Sequence, residues 1–331
     1  MKSAILVQRP SGASSRFRIL QHLDALRDAG IESEVLTIPD GATARLGVFR
    51  SSADADIVFL QKKLFSAVEL AVLRRFAKRL VYDFDDAVMF RDSWRGDFVS
   101  RSRATRFRRT VRTADLVIAG NAYLAAQAQP DARMLSVLPT SVDTDYLTPA
   151  PEPAPTGRLV LGWIGSGSTV GYLAAIAAPL KDFLKGHCDA RLVAISDKFD
   201  PLPDDLPVER RQWNAERELA DLRCFDIGLM PLADDPWTRG KCGFKLLQYF
   251  AVGKPCVCSP VGVNAEIVSD GTSGFHAVTD AQWTAALEKL AASRNMCVEM
   301  GARGRATVVE RYSKKVVARQ LAELLTELAA H

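Results

Sequence analysis

Three carboxylates stand within four residues, at Asp83, Asp85 and Asp86, where the short apolar run 80–84 ends. Acids this close are costly to place unless they cap, bind or react. Such a pair can hold or deprotonate a hydroxyl, and an Asp-x-Asp spelling can also grip a divalent ion that carries a diphosphate. Turn and helix-cap aspartates open to water are the plain alternative. A second candidate is the turn Gly165-Ser166-Gly167-Ser168, which follows the run 159–164 and opens a helical pattern. Glycines let the backbone approach a ligand, and free amides at a helix start favour an anion such as a diphosphate. A third is the segment Gly240-Lys241-Cys242-Gly243-Phe244-Lys245-Leu246-Leu247-Gln248. Its two lysines, read as one turn apart around a helix start, would neutralise charge growing on a departing diphosphate.

These residues need elements to carry them. Short apolar runs alternate with helical patterns along the chain, the arrangement of parallel sheets covered by helices. The runs 4–8, 31–37, 57–61, 80–84, 116–119 and 134–138 read as strands, with helices at 16–29 and 66–77 among them. Four prolines in 148–157 break the pattern, because proline lacks an amide donor and fixes its own backbone angle. The pattern then restarts, with strands at 159–164, 190–196, 227–231, 255–259 and 274–277 and helices at 169–184 and 244–252. The expected fold is α/β, two Rossmann-like doubly wound domains at 1–150 and 151–314, with a helix at 315–331 packing back across the junction. Ligands of such sheets bind beyond the carboxyl ends of the strands.

Composition narrows the classes. The 331 residues exceed what one hydrophobic core serves, and 48% hydrophobic with 25% charged residues is ordinary for a soluble protein. No apolar stretch suffices for a signal peptide or a membrane span, so a cytoplasmic protein is expected. The six cysteines, Cys188, Cys224, Cys242, Cys256, Cys258 and Cys297, form no C-x-x-C pair and read as reduced packing residues. A nicotinamide fingerprint fails on spacing, since Gly171 comes one place late after Gly165 and Gly167, and Asp197 lies too far on. The net charge of +4 is uneven: Arg95, Arg101, Arg103, Arg106, Arg108, Arg109 and Arg112 crowd one stretch, interleaved with Trp94, Phe98 and Phe107. That stretch fits an anionic membrane surface at the inner face, while nucleic acid is not expected because no binding module accompanies it.

The segment 239–255 with Val257-Cys258-Ser259-Pro260-Val261-Gly262-Val263-Asn264-Ala265-Glu266-Ile267-Val268 resembles the retaining GT-B glycosyltransferases of family 4, the group 1 type. Gly243, Ala251, Gly253 and Pro255 fall on that family's pattern, and the likeness extends through 114–119, 138–145 and 225–231. The family's paired glutamates are replaced by Gly240, at the place that usually holds the donor sugar, and by Gln248, at the place that usually holds the ribose. The resemblance implies transfer of a sugar from a UDP- or GDP-linked donor to an acceptor hydroxyl, with retention and without a metal or other cofactor. The residues themselves and the resemblance together point to donor contacts from Gly12, Arg16, Ser166, Gly167, Ser168, Lys241, Gly243, Phe244, Lys245 and Gln248, with Lys241 and Lys245 as local substitutes for the family's usual phosphate-gripping pair and Asp85 and Asp86 as the catalytic pair. A glycan, a lipid-linked molecule or a protein would be the acceptor, in the synthesis of a cell-surface polysaccharide or glycoconjugate. The alternatives are an epimerase or phosphorylase of the same fold, or a nucleotide-sugar-binding protein without catalysis.

Overall fold

A computed structural model describes residues 1–151 and 157–330. The linker expected at 148–157 therefore lies partly outside the described residues. The chain forms two compact units, an N-terminal one of residues 1–141, 235–242 and 314–331 and a C-terminal one of 142–234 and 243–313.

The N-terminal unit is built on β1 (Lys2–Val7), β2 (Glu32–Thr37), β3 (Ile57–Gln61), β4 (Arg79–Phe84), β5 (Leu116–Ala119) and β6 (Leu135–Val137), in the order β2-β1-β3-β4-β5-β6. All pairings are parallel. Side chains alternate across the pleat. Val58, Leu60, Leu80, Tyr82 and Phe84 pack on one face with Leu73 and Phe107. Ile57, Phe59, Val81 and Ile118 pack on the other with Leu26 and, from the last helix Lys314–Ala330, Leu321 and Leu325. The C-terminal helix thus completes the N-terminal unit.

The C-terminal unit holds β7 (Val160–Ile164), β8 (Arg191–Ser196), β9 (Val208–Gln212), β10 (Ile227–Met230), β11 (Cys256–Cys258) and β12 (Gly274–His276), ordered β12-β11-β10-β7-β8-β9 and parallel throughout. Strand β9, Val-Glu-Arg-Arg-Gln, is missing from the sequence reading. It is an edge strand, and a charged edge carries no apolar run to betray it. Strand order reverses between β1 and β3 in one unit and between β7 and β10 in the other. Those are the switch points where doubly wound sheets receive ligands.

Four expectations need correction. The first unit ends at Ser141, because the Val142 amide donates to the Tyr312 carbonyl and Leu147 joins the core of the C-terminal unit. The helix expected at 16–29 is broken into Ala13–Arg18, a 3-10 turn at Leu20–His22 and Leu23–Asp28. The helix expected at 169–184 is likewise a 3-10 turn at Gly167–Thr169, a short helix Val170–Ala174 and a second, Ala177–Gly186. All six cysteines are free, and Cys188 and Cys224 are exposed, so these two are not packing residues.

Candidate functional site

In the N-terminal unit, four polar segments meet at the carboxyl end of the sheet near its switch point. The short helix Ala13–Arg18 after β1 brings Ser14, the end of β3 brings Gln61 and Lys62, the end of β4 brings Asp83 to Asp86, and the turn after β5 brings Asn121. The Ser14 hydroxyl donates to the Asp85 carboxylate at 2.6 Å, and Lys62 Nζ lies 3.1 Å from Asp85 Oδ1 and 2.5 Å from Asp86 Oδ2. The other oxygen of Asp86, Oδ1, accepts from Lys241 Nζ at 2.8 Å. Below them Arg18 is buried, bonded to both oxygens of Asp83 and to the Leu138 carbonyl. These are not water-exposed turn aspartates.

The charges reinforce one another. Burial favours the neutral form of Asp86, yet Lys241 and Lys62 override it and hold the carboxyl well below the usual carboxylate range. Burial likewise opposes the charge on Lys62, and Asp85 and Asp86 outweigh it, so its pKa is raised. Arg18 is raised in the same way by Asp83 against burial. The Cys242 thiol is pushed up to about 12 by burial and by Asp85, which makes it a thiol that packs and donates to the Asp85 carbonyl. A carboxylate bonded at both oxygens by lysines is a weak base. Of the expected acid pair, Asp85 keeps a hydroxyl partner that a substrate could replace, and Asp86 acts as an anchor. The Asp-x-Asp metal reading does not fit, because Asp83 is matched by Arg18, Asp85 by Lys62, and Asp86 by Lys62 and Lys241. Among the described residues no three His, Cys, Asp or Glu side chains gather into a metal site.

Lys62 reaches this position at a backbone cost. It has φ of 57°, and among the described residues no other residue but glycine has a positive φ. A lysine in the left-handed region is uncommon and strained, and such strain collects at functional sites.

The expected donor residues divide between the units. Lys241 belongs to the N-terminal unit, with its carbonyl accepting from Asn121 Nδ2 at 3.1 Å. It is therefore not a helix-start partner of Lys245. Gly240 precedes it, and a Cβ there would stand 2.7 Å from the Ala87 Cβ and 2.9 Å from the Ala87 amide, so this place has no room for a glutamate. Gly12 closes a turn by donating its amide to the Arg9 carbonyl, and Arg16 stacks on Phe17, 5.0 Å from the ring centre. The arginine of the helix Ala13–Arg18 that enters the cluster is Arg18, not Arg16.

Ser166, Gly167, Ser168, Gly243, Phe244, Lys245 and Gln248 lie in the C-terminal unit. Gly243, with φ of 65°, is the N-cap of the helix Phe244–Ala251, and Phe244 packs against the core. Lys245 extends over the turn after β7: its Nζ is 5.3 Å from the Trp163 ring centre, and a Cβ on Gly165 would meet its Cε. The structure thus brings Lys245 to the glycine-serine turn, as the sequence suggests. The amide of Gly167, however, donates to Asp197 Oδ1 at 2.6 Å, and the helix that follows is a five-residue stub. The expected amide cradle is engaged by the protein's own carboxylate. Gln248 is buried, donating through Nε2 to Glu218 Oε1 at 3.2 Å.

Sequence reasoning passed over Ser14, Arg18, Lys62 and Glu218. A faint signal existed for Lys62, in the polar Gln61-Lys62-Lys63 that ends an apolar strand. Glu218 sits in a charged stretch where nothing distinguishes it.

Residues 186–293 match the family model described as "Glycosyl transferases group 1". Among solved structures, sucrose-phosphate synthase from Thermosynechococcus elongatus aligns over 99% of each chain with a TM-score of 0.78 and 14% identity. A glycosyltransferase from Rickettsia africae aligns over 99% of this chain and 98% of its own, with a TM-score of 0.75 and 13% identity. HepE of Anabaena, solved with UDP and glucose, aligns over 98% of this chain and 99% of its own, with a TM-score of 0.70 and 17% identity. At such identities the likeness is one of fold, the two-domain GT-B arrangement. No curated protein sequence matches the chain.

Two outcomes follow from the acidic cluster. Replacing Lys62 by alanine or by glycine removes the amine in both cases, but only glycine is at ease at φ of 57°. Chemical denaturation should find Lys62→Gly more stable than Lys62→Ala by about 1 kcal/mol; the reverse order would show that no strain is held there. Lys241→Met should cost about 2 kcal/mol at neutral pH, because Asp86 loses one of two cations while staying buried. Since the folded-state pKa of Asp86 is depressed, its contribution is present above the unfolded value near 3.9 and is lost as the pH falls. The gap between Lys241→Met and the parent should therefore begin to narrow in urea titrations once the pH falls below about 4, and a gap independent of pH would show that the pair contributes nothing electrostatic.

Proposed function

We propose that this chain, a GT-B protein with a group 1 glycosyl transferase region over residues 186–293, transfers a sugar from a nucleoside diphosphate donor to an acceptor hydroxyl. The observation that carries the reading is the meeting of Lys245 with the turn Gly165-Ser166-Gly167-Ser168 at the switch point of the sheet that bears the family match. A lysine ammonium and two serine hydroxyls at that point oppose the charge of a leaving diphosphate. The Gly167 amide is already bonded to Asp197, so Lys245, Ser166 and Ser168 carry this task. Asp85, oriented by Ser14 and Lys62, is the acid that takes the acceptor hydroxyl, and Asp86 fixes the cluster.

The finer reading is transfer with retained configuration in family 4 manner and without metal, the lysines supplying the positive charge that a divalent ion would otherwise bring. The acceptor is a glycan, a lipid-linked molecule or a protein, and the product part of a cell-surface polysaccharide or glycoconjugate. Among the described residues no helix is long and apolar enough to cross a membrane. The helix Arg101–Thr113 supports contact with an anionic membrane surface. Arg108 and Arg112 pair with Asp131, while Arg101, Arg106 and Arg109 are exposed and Trp94 and Val99 stand out nearby. The side chain of Arg95 lies outside this description.

A panel of UDP-, GDP- and TDP-sugars, with and without EDTA, tests the reading through thermal stabilisation and nucleotide release. At least one donor should raise the melting temperature and release nucleotide in EDTA, and Lys245→Ala should weaken nucleotide binding by about tenfold. No stabilisation by any nucleotide would remove the donor site, and binding without release would leave a nucleotide-sugar-binding protein. Vesicles containing phosphatidylglycerol should sediment the protein at low salt, and reversing Arg106 and Arg109 to glutamate should abolish this. Equal sedimentation with neutral vesicles would refute the membrane contact.

A further inference from the structure

We infer that Glu218 supplies the carboxylate that accepts the ribose hydroxyls of the donor nucleotide, and that Gln248 is the positioning residue that aims it. The inference rests on the nucleotide-sugar reading above and names the part of the donor that Glu218 reads.

Glu218 is the first residue of the short helix Glu218–Arg223 and is only 8% exposed. Two neutral donors hold it, Gln248 Nε2 and Trp213 Nε1, each 3.2 Å from the same oxygen, Oε1. Oε2 takes neither. A carboxylate has about four acceptor positions, so the second oxygen remains able to accept hydrogen bonds. No described cation pairs with Glu218, whereas Asp221, one turn further on, is paired with Arg211 and Arg217. The two acids of one helix are thus differently treated. Asp221 is paired with cations and structural, and Glu218 is fixed in direction by neutral donors alone.

A fixed, unneutralised carboxylate repels a phosphate and attracts hydroxyl donors. A vicinal diol offers two such donors and no charge. The helix Phe244–Ala251 sets the order of the groups. Lys245 and Gln248 are three residues apart and so share a face, with the cation at the β7 turn and the amide one turn deeper against Glu218. A nucleoside diphosphate whose diphosphate meets Lys245 carries its ribose in that same direction. The indole of Trp213, 36% exposed and tied to Glu218 through its ring nitrogen, adds a flat apolar surface beside the diol position. Sequence reading places the ribose contact on Gln248 itself; in the structure the Gln248 amide is spent on Glu218, and the charge that a diol prefers comes from a different element.

A sugar carrier with both ribose hydroxyls is therefore preferred over one built on deoxyribose, which sets UDP and GDP donors apart from thymidine donors. Calorimetry with UDP, GDP and their 2′-deoxy counterparts tests this on the parent chain, on Glu218→Gln and on the exchange Glu218→Gln with Gln248→Glu. The parent should bind the ribonucleotide that stabilises it roughly tenfold or more tightly than its 2′-deoxy form, the range of a hydrogen bond to a charged group. Glu218→Gln, which keeps size and shape, should lose most of that preference, because the ribonucleotide loses two hydrogen bonds to the charged group where the 2′-deoxy form loses one. The exchange variant should regain the preference. Equal binding of the two forms by the parent, or an unchanged preference in Glu218→Gln, overturns the inference while leaving the donor site standing. Failure of the parent to bind any nucleotide overturns the nucleotide-sugar reading itself. The parent comparison varies only the ligand, so it decides the matter even if a variant folds poorly.

Discussion

Asp86 divides its two oxygens between lysines that arrive from distant parts of the chain, Lys62 from the end of β3 and Lys241 from the segment 235–242. Neither charge would be tolerated alone in so enclosed a place, and together they hold the end of β4 against its neighbours. Much of the N-terminal unit follows from this pairing. It draws 235–242 into that unit, sets Cys242 beneath the Asp85 carbonyl, brings the Lys241 carbonyl to Asn121, and leaves Gly240 no space for a side chain. The left-handed backbone at Lys62 belongs to the same arrangement, since it turns the amine back over the end of β4.

The sheets were legible in the sequence because strands buried on both faces must be apolar at successive positions. Runs such as Ile57–Gln61 and Leu116–Ala119 can hardly be read otherwise. What escaped was whatever lacked that pressure. Edge strand β9 is charged, and helix boundaries inside 16–29 and 169–184 are set by tertiary packing that periodicity does not see. The C-terminal helix, by contrast, is legible through a thin apolar stripe, and its Leu321 and Leu325 share one core with residues of β1, β3 and β4 in the N-terminal unit.

The polar sites show the same division. Lysine beside a glycine-serine turn was readable at Lys245, since both lie next to strand ends. The partner of a charge was not. Lys241 looked like a neighbour of Lys245 through four residues of spacing, and the fold gives it to Asp86. Gln248 looked like a ligand contact, and the fold gives it to Glu218. Position along a chain reports the element a residue belongs to. The partner is decided by elements 30 to 155 residues away, and a single sequence has no record of them. The replacement of both glutamates of the resembled pattern now has a partial physical account: at Gly240 the neighbouring Ala87 leaves no room, and at Gln248 an acid stands alongside.

The chain passes between its two units after residues 141, 234, 242 and 313. No single cut therefore yields either one intact. A fragment beginning after the proline-rich stretch would carry Trp237 and Cys242 without the apolar neighbours they pack against, and Lys241 without its acid. It would also lack Val142 and Leu147, which belong to the core it keeps. The units are interleaved rather than modular, so exchange of whole halves between proteins of this fold would have to move residues 1–141 and 235–242 together to keep one carboxylate satisfied.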